Sequence, residues 1–449
     1  MAITKQHWTN AGLCQPCSWA GKEVKSGTDS DSLGLFLTSP SPISSPTAGM
    51  LPLPITATLF YAVMIMIVGQ AFLFTILPPI GRQVGMADYQ IGMVMSVHGL
   101  FMLFTGPMWG AASEIFGRRR VIILGGVAFV ISVVMFGLIV DAAIRGLVSG
   151  MAILWMLVGS RALFALGAGA VTPAAMAMAA DLSSRGNRLR AISMLTAATS
   201  TGAIIGPSVS AFFTGLGLSA PFYIIAAAGM VVVIAPMFFL PKGRSHQPDT
   251  GGSYRHLLKG PILKIALSAV LFMCGTYGIF SIVGFFVQDR FQLEPVPAAQ
   301  AMGLGLMCAA AANVFVQAVL LRRIKAGPKV IVTIGVTFIV LSIAVLWQST
   351  TQVMFVAAMV CNGLGQGFAM PAINTSLSLA AGPESQGRIA GISTATQAIA
   401  FLIAPASAAL MYQSLPWLPF VVGVCVVVLT LAVFLNTSVV DSRHTDALS

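Results

Sequence analysis

Charged side chains are scarce in this sequence. Asp, Glu, Lys and Arg make up only 8% of its 449 residues, and 13 of these residues are acidic. Hydrophobic residues account for 57%, and the mean hydropathy is +0.90. Soluble globular domains contain about 25% charged residues. The composition therefore excludes a soluble globular protein and predicts one that is embedded in a lipid bilayer.

Motifs of energy-coupled and hydrolytic enzymes are missing from the sequence. It contains neither a P-loop nor a nucleophile elbow, so an ATP-driven pump and a hydrolase are not supported. Four of the six cysteines lie within apolar runs, and Cys14 and Cys17 form a lone CxxC without further ligands. Such a pair is a weak metal signal. We predict no enzyme activity, no cofactor and no metal site.

Most of the chain consists of apolar runs of about 20 residues. A helix of that length crosses the hydrocarbon layer of a membrane. The glycines and prolines within them are common in membrane helices. The runs predict an all-α polytopic membrane protein with twelve transmembrane helices. The predicted spans are 56–79, 90–113, 121–141, 150–180, 191–215, 219–240, 262–287, 299–321, 329–348, 353–379, 389–412 and 415–436.

Basic residues are distributed unevenly between the loops. If the N-terminus is cytoplasmic, the inner loops and tails contain 20 of the 24 Lys and Arg residues, the outer loops contain three, and Arg161 lies within a span. Positively charged residues favour cytoplasmic loops. The bias predicts a protein of the cell (inner) membrane with both termini in the cytoplasm. It also explains the net charge of +11 without any binding of nucleic acid.

An internal repeat divides the chain. Seven residues recur 198 positions later without a gap, so the fourth and fifth spans correspond to the tenth and eleventh. We predict two pseudo-symmetric six-helix bundles, 51–240 and 262–436, joined by a cytoplasmic linker at 241–261. Residues 1–50 are predicted to be a disordered tail, and 437–449 a short C-terminal tail. The repeated residues are Gly167, Gly169, Pro173, Ala174, Arg190, Thr196 and Pro207.

The loop after the second span, GAASEIFGRRR, carries a recognisable motif. It resembles the G-x-x-x-D-R-x-G-R-R loop of the major facilitator superfamily, and the resemblance covers residues 51–436. Glu replaces the Asp of the motif, and Ile115 replaces its first Arg. The resemblance implies the major facilitator fold, in which two bundles rock around a midplane site. The matching residues are Gly110, Glu114, Gly117, Arg118 and Arg119.

The same resemblance implies a gate at the cytoplasmic ends of the helices. In the family, a carboxylate of this loop and its arginine partners lock the two halves while the transporter faces outward. By resemblance, Glu114 and Arg118 take this role here, together with Asp181 at the end of the fourth span.

Two spans match further motifs of the superfamily. In the fourth span, Arg161 and Gly167 fit L-x-x-x-R-x-x-Q-G-x-G-A. In the fifth span, Gly202, Gly206 and Pro207 fit G-x-x-x-G-P-x-x-G-G, which resembles the motif of drug:proton antiporters. The last two positions of that motif are Ser and Ala here. Small residues on one face let another helix approach closely, and Pro207 permits a bend.

Ionisable residues inside the bilayer are candidates for function. All 13 acidic residues fall outside the span interiors or at their ends, which leaves Arg161 and His98 as the clearest buried ionisable residues. Arg161 is a candidate counter-charge for substrate, or it supports backbone carbonyls. His98 is a candidate proton carrier, or it is a hydrogen-bonded packing residue.

Uncharged polar residues in the spans are further candidates for the transport path. Two pairs are spaced i, i+4 and so share a helix face. A membrane Gln equally serves as a hydrogen-bonding contact between helices. The candidates are Gln70, Asn313, Gln317, Asn362, Gln366 and Gln397.

These observations predict a secondary active transporter, a proton-coupled exporter that works by alternating access. Its predicted substrate is a small organic molecule: a drug, a metabolite or a carboxylate chelator such as a siderophore. Because the interior lacks carboxylates, a neutral or anionic substrate is favoured over a cationic drug. Its partners are the substrate, protons and the lipid bilayer, and we expect a monomer. The alternatives are a proton-coupled importer of a metabolite anion on the same fold and, remotely, a non-transporting membrane scaffold or sensor.

Overall fold

The structure, a computed structural model, describes residues 52–184, 187–242, 260–381 and 386–437. The predicted N-terminal tail, most of the predicted linker, most of the C-terminal tail and the CxxC pair lie outside these residues. Within the described part, twelve long helices and no β-strand are present. The helix boundaries differ from the predicted spans by only a few residues at each end.

The helices follow one another with short connections. Several begin with proline in the first turn, where its missing N–H has no helical partner to lose. Their bounds are α1 Leu53–Gln83, α2 Asp88–Phe116, α3 Arg118–Ile144, α4 Met151–Leu182, α5 Arg188–Phe213, α6 Ala220–Phe239, α7 Pro261–Phe291, α8 Pro295–Arg323, α9 Pro328–Gln348, α10 Gln352–Ala381, α11 Gln386–Ser414 and α12 Leu418–Leu435.

Eleven of the described helices are long and apolar enough to cross a membrane. The twelfth long helix of the described part, α2, has 29 residues and packs lengthwise against α4 and α11. Large apolar side chains remain exposed on the outside of the bundle, among them Phe104, Trp155 and Phe238. A surface of this kind is covered by lipid, as expected of an integral multi-pass membrane protein.

Two six-helix bundles, α1–α6 and α7–α12, build the fold, and their internal contacts repeat. Ser160 on α4 donates to the carbonyl of Ser132 on α3 at 2.7 Å. In the second bundle, Ser342 on α9 donates to the carbonyl of Ala358 on α10, also at 2.7 Å. Ser160 and Ala358 are separated by the repeat distance found in the sequence. A hydrogen bond therefore joins the third and fourth helices of each bundle at this repeated position, with the donor on the fourth helix in the first bundle and on the third helix in the second.

The bundles meet most extensively along two helix pairs, α2 with α11 and α5 with α8, and α1 also contacts α7 and α8. At Gly99, an added Cβ would collide with the backbone of Leu402 on α11. At Gly303, it would lie 2.7 Å from the carbonyl oxygen of Pro207 on α5. Glycine at these positions lets the backbones of the two bundles touch.

The two ends of the bundle differ in charge. We call the end at which α2 meets α3 the basic end, because Arg118, Arg119 and Arg120 lie there. The end at which α1 meets α2 is the opposite end. Gly117 alone connects α2 to α3, with φ of +85°, a conformation that strains any residue with a Cβ. This backbone conformation explains why the motif has glycine at position 117.

Candidate functional site

A cavity of about 680 Å³ lies between the two bundles. It is lined by α1, α2 and α5 of the first bundle and by α7, α8, α10 and α11 of the second. It extends from the middle of the helices toward the basic end, where Thr196 and Gln317 are exposed on its walls. We call it the central cavity.

The central cavity brings together most of the polar residues that were selected from the sequence. Asn362 is completely buried just behind Gln366, and Arg161 is buried behind Gln70. The other six candidates line the cavity itself: Gln70, His98, Asn313, Gln317, Gln366 and Gln397.

Arg161 is a buried cation with few partners. Its side chain is only 2% exposed, and its Nη2 atom donates to Oε1 of Gln70 at 2.5 Å. Its guanidinium carbon lies 4.4 Å from the centre of the Phe164 ring, a cation–π contact. Nε and Nη1 have no hydrogen-bond partner among the described residues. Within the same residues, no carboxylate pairs with Arg161.

Gln70 is oriented by this contact. Because its carbonyl oxygen accepts from Arg161, its Nε2 group is the part of the amide left to bind other molecules. Nε2 is buried and has no partner among the described residues, while the side chain lines the cavity. Gln70 therefore lines the cavity and carries, just inside its wall, a hydrogen-bond donor without a partner among the described residues.

His98 lies between aromatic rings on the same side of the central cavity. Its ring centre is 5.8 Å from that of Phe164 and 5.6 Å from that of Phe401 on α11. The side chain is 8% exposed, and Nδ1 has no hydrogen-bond partner in the described part of the chain. The imidazole thus contacts both bundles at the point where the cavity begins.

The wall formed by the second bundle carries two amide pairs. Gln317 Nε2 donates to Asn313 Oδ1 at 2.5 Å on α8, and Gln366 Nε2 donates to Asn362 Oδ1 at 2.7 Å on α10. The Asn362 nitrogen is buried and has no hydrogen-bond partner among the described residues. A π-helical turn, Val316–Leu320, follows Asn313 on α8 and contains Gln317. Such turns are frequent at functional sites.

Aromatic residues of the cavity were not selected from the sequence. Tyr277 stacks on Phe401 with 4.2 Å between the ring centres and 20° between the planes, and Phe74 lies 6.1 Å from Phe401. All three line the cavity. Phe is too frequent in membrane helices for any single one to stand out by sequence.

The predicted gate residues lie at the basic end. Arg118 on α3 forms an ion pair of 2.6 Å with Asp181 on α4, within the first bundle. Arg119 donates to the carbonyl of Met237 on α6. Glu114 lies on α2 beside them and has no ion-pair partner in the described part of the chain, and Gly110 lies one turn earlier on α2. The pairs seen here therefore stay within one bundle.

The residues of the fifth-span motif face α1 and the second bundle. A Cβ at Gly202 would lie 2.5 Å from the carbonyl oxygen of Met64, and one at Gly206 would lie 2.9 Å from that of Val68. Pro207 lines the central cavity and touches Gly303 on α8. The small face thus packs on α1, and the proline stands at the boundary between the bundles.

An ionic cluster at the opposite end joins the bundles, and the sequence had not singled it out. Arg82 of α1 pairs with Asp88 of α2 at 2.7 Å and with Asp289 of α7 at 2.6 Å. The hydroxyl of Tyr412 on α11 donates to Asp289 Oδ2 at 2.9 Å. We call these four residues the Arg82 cluster. The sequence signal was weak: charged residues at the ends of spans one and seven.

Comparison with known proteins agrees with this architecture. The family profile described as Major Facilitator Superfamily matches residues 59–405 and 327–447. The chain belongs to the major facilitator superfamily. It is 23% identical over 356 residues to Multidrug resistance protein 2 of Bacillus subtilis (strain 168), covering 77% of this chain and 85% of that protein. Multidrug resistance protein 1 of the same strain is 24% identical over 353 residues, covering 77% and 86%.

Solved structures show the same fold. A nucleoside transporter superposes with a TM-score of 0.69 at 12% identity, covering 85% of this chain and all of that chain. A bacterial homologue of the human lysosomal transporter Spinster, in an inward-facing and unoccupied conformation, gives a TM-score of 0.64 at 15% identity, covering 86% and 96%. The predicted all-α membrane fold of two six-helix bundles is therefore confirmed, and this superfamily member is a transporter.

Proposed function

We propose that this superfamily member is a proton-coupled exporter of a small organic molecule that works by alternating access. The observation that carries the proposal is the central cavity: it opens at the basic end, while the Arg82 cluster and close helix contacts seal the opposite end. A cavity open to one side is one of the two states that alternating access requires. The names of the two multidrug resistance relatives support export rather than import.

The basic end belongs in the cytoplasm under this proposal, with both termini on that side of the inner membrane, and the structure is then inward-facing. Positively charged loops favour the cytoplasmic side. A cysteine at Leu147, which is 74% exposed at the opposite end, would react with a membrane-impermeant maleimide in intact cells. A cysteine at Arg120 would react only after the cells are opened. The reverse pattern contradicts the orientation.

Opening of the opposite end would require the two bundles to part at the Arg82 cluster and to close at the basic end. We assign Glu114, Arg118 and Asp181 to the gate that holds the basic end shut in that second state. In this structure, with its cavity extending toward the basic end, the Arg118–Asp181 pair is already formed within the first bundle. Closure would then move α2, α3 and α4 together against the second bundle. The Arg118–Asp181 pair would move with them.

His98 is the group we assign to proton coupling. It lines the cavity, it contacts both bundles through Phe164 and Phe401, and its Nδ1 has no hydrogen-bond partner among the described residues. An imidazole takes up and releases a proton at a ring nitrogen, which no uncharged amide of the cavity does. The described residues that line the cavity include no Asp or Glu that would serve instead.

Cellular accumulation tests the direction of transport. Cells expressing the protein and cells carrying the empty vector are loaded with fluorescein, Nile red or ethidium, which are anionic, neutral and cationic aromatic dyes. Export predicts lower accumulation of at least one dye in expressing cells, and a protonophore should abolish the difference. Higher accumulation in expressing cells contradicts export and favours the importer of a metabolite anion. A difference that survives the protonophore contradicts proton coupling.

A further inference from the structure

The central cavity has an electrostatic asymmetry that bears on its substrate. No Asp, Glu, Lys or Arg is among the described residues that line it. The charge linked to its wall is that of Arg161, which contacts the cavity residue Gln70. An isolated cation in a low-dielectric interior is costly. A negative charge bound nearby would lower that cost, whereas a positive charge would raise it.

Gln70 conveys this asymmetry to the cavity. A neutral carboxamide alone binds donors and acceptors equally well, because it can turn over. Here Arg161 holds the carbonyl oxygen, and turning the amide over would place two N–H groups against a guanidinium. The amide is therefore oriented with its oxygen toward Arg161, and its buried, unpartnered Nε2 is left as a donor for an acceptor that reaches past the cavity wall.

An aromatic surface lies one helical turn away. Phe74 follows Gln70 by four residues on α1, so both side chains occupy one face at a spacing of about 6 Å along the axis. Phe74 in turn neighbours the stacked pair of Phe401 and Tyr277. Gln70 and the aromatic surface therefore both line the central cavity, and one helical turn separates Gln70 from Phe74.

We propose that the central cavity binds aromatic carboxylates, with Gln70 donating to the carboxylate, Arg161 fixing and polarising Gln70, and Phe74, Tyr277 and Phe401 packing on the ring. The proposal rests on the proposed function, since it names the substrate class of the same cavity. It places Gln70 as the specificity-determining residue and Arg161 as a positioning residue. An aromatic ammonium of the same shape would place its N–H donors against the Gln70 donor and its positive charge near Arg161. The cavity is therefore expected to reject it.

Binding of matched probes to purified protein in lipid nanodiscs tests the substrate class. The probes are 2-naphthoate, 2-naphthalenemethanol and 2-naphthylmethylammonium, which share one ring system and differ in charge. We expect 2-naphthoate to bind at least about tenfold tighter than the alcohol, as for a hydrogen bond to a charged group. The ammonium should bind more weakly than the alcohol. Equal affinities, or preference for the ammonium, overturn the proposal.

Variants locate the selectivity. Gln70→Leu should reduce the ratio of naphthoate to alcohol affinity about tenfold. Gln83→Leu, the same change at the exposed end of α1, should leave that ratio unchanged. Gln70→Glu presents an acceptor in place of the donor and should abolish the naphthoate preference. If one Gln70 variant fails to fold, the other Gln70 variant still tests the proposal. A folded Gln70 variant that retains the full preference for naphthoate overturns the role of Gln70.

The outcome is separable from that of the export assay. If expressing cells export a dye while naphthoate shows no preferential binding, the substrate class is wrong and export stands. If naphthoate binds selectively through Gln70 while no dye is exported, the binding site stands and the proposed direction of transport fails.

Discussion

Arg82 on α1 and Asp289 on α7 lie 2.6 Å apart, Nη1 to Oδ1, across the junction of the two bundles. Arg82 also pairs with Asp88 in its own bundle, and Tyr412 donates to Asp289 in the other. Each partner is thus held in place by its own bundle. The Arg82–Asp289 ion pair therefore links the two bundles. It must break if the opposite end is to open.

Replacing Arg82 with Gln should shift the protein toward the state that is open at the opposite end. The pair is partly exposed, with 25% of the Arg82 and 50% of the Asp289 side chain accessible, so its loss is worth about 1 kcal/mol. That corresponds to a roughly fivefold change in population. Spin labels at Leu147 and Thr350, in exposed loops of the two bundles, should report longer distances in the variant.

The matched control for this variant is Arg290→Gln. Arg290 occupies the end of α7 as Arg82 occupies the end of α1, but its Nε donates to the carbonyl of Ser349 within the second bundle. Its loss should leave the distance distribution between the labels unchanged. An equal shift in both variants would show that the charge, not the link between the bundles, sets the equilibrium.

A larger side chain at Gly99 should prevent tight closure at the opposite end. In Gly99→Val the added atoms would enter the backbone of α11 at Leu402, and such overpacking costs about 1–3 kcal/mol. We expect a shift toward the state open at the opposite end, measured with the same spin labels. Gly106→Ala on the same helix has no atom within 4 Å of the new Cβ and should show no shift. An unshifted Gly99→Val variant would contradict closure at this contact.

His98→Gln should abolish energised transport and retain exchange. Gln preserves a polar side chain beside Phe401 but cannot carry a proton at physiological pH. In proteoliposomes we expect loss of substrate accumulation driven by a pH gradient, while substrate–substrate exchange without a gradient continues. Retention of full gradient-driven transport would remove His98 from the coupling mechanism. Loss of exchange as well would indicate a role in binding.

The ion pair between Arg118 and Asp181 should contribute little to stability. It is 2.6 Å long, but 53% of the Asp181 side chain is exposed, so solvent screens the pair. In a double-mutant cycle with Arg118→Gln and Asp181→Asn, thermal unfolding in detergent should give a coupling energy of about 0.2–1 kcal/mol. Transport should fall much more than stability if the pair belongs to the gate. Parallel losses of both would assign it to packing alone.

The sequence predicted the helices well because their cause is local. An apolar run of sufficient length has no alternative in a bilayer but to form a helix, since the backbone must satisfy its own hydrogen bonds. The same reasoning, applied to rare residues, found Gln70, His98 and Arg161. Polar side chains are too costly to face lipid, so they collect where the bundles enclose a cavity.

The Arg82 cluster and the aromatic surface could not be found in this way. Arg82 and Asp289 lie at helix ends, where charged residues are common and require no partner. Tyr277 and Phe401 are indistinguishable by composition from residues that face lipid. Their significance depends on which helices meet, and neither apolar periodicity nor charge bias contains that information.

By itself, the sequence determined the helical membrane fold, its division into two repeated bundles and a short set of polar residues that had to avoid lipid. These features follow from the free-energy cost of placing polar groups in hydrocarbon. That cost depends on the residues of each segment alone, so it can be judged from the sequence. Only the tertiary structure decided that Arg161 holds Gln70 as a donor and that Arg82 links the bundles. Those contacts join residues far apart in the chain, 91 positions for Arg161 and Gln70 and 207 for Arg82 and Asp289, so only packing brings them together.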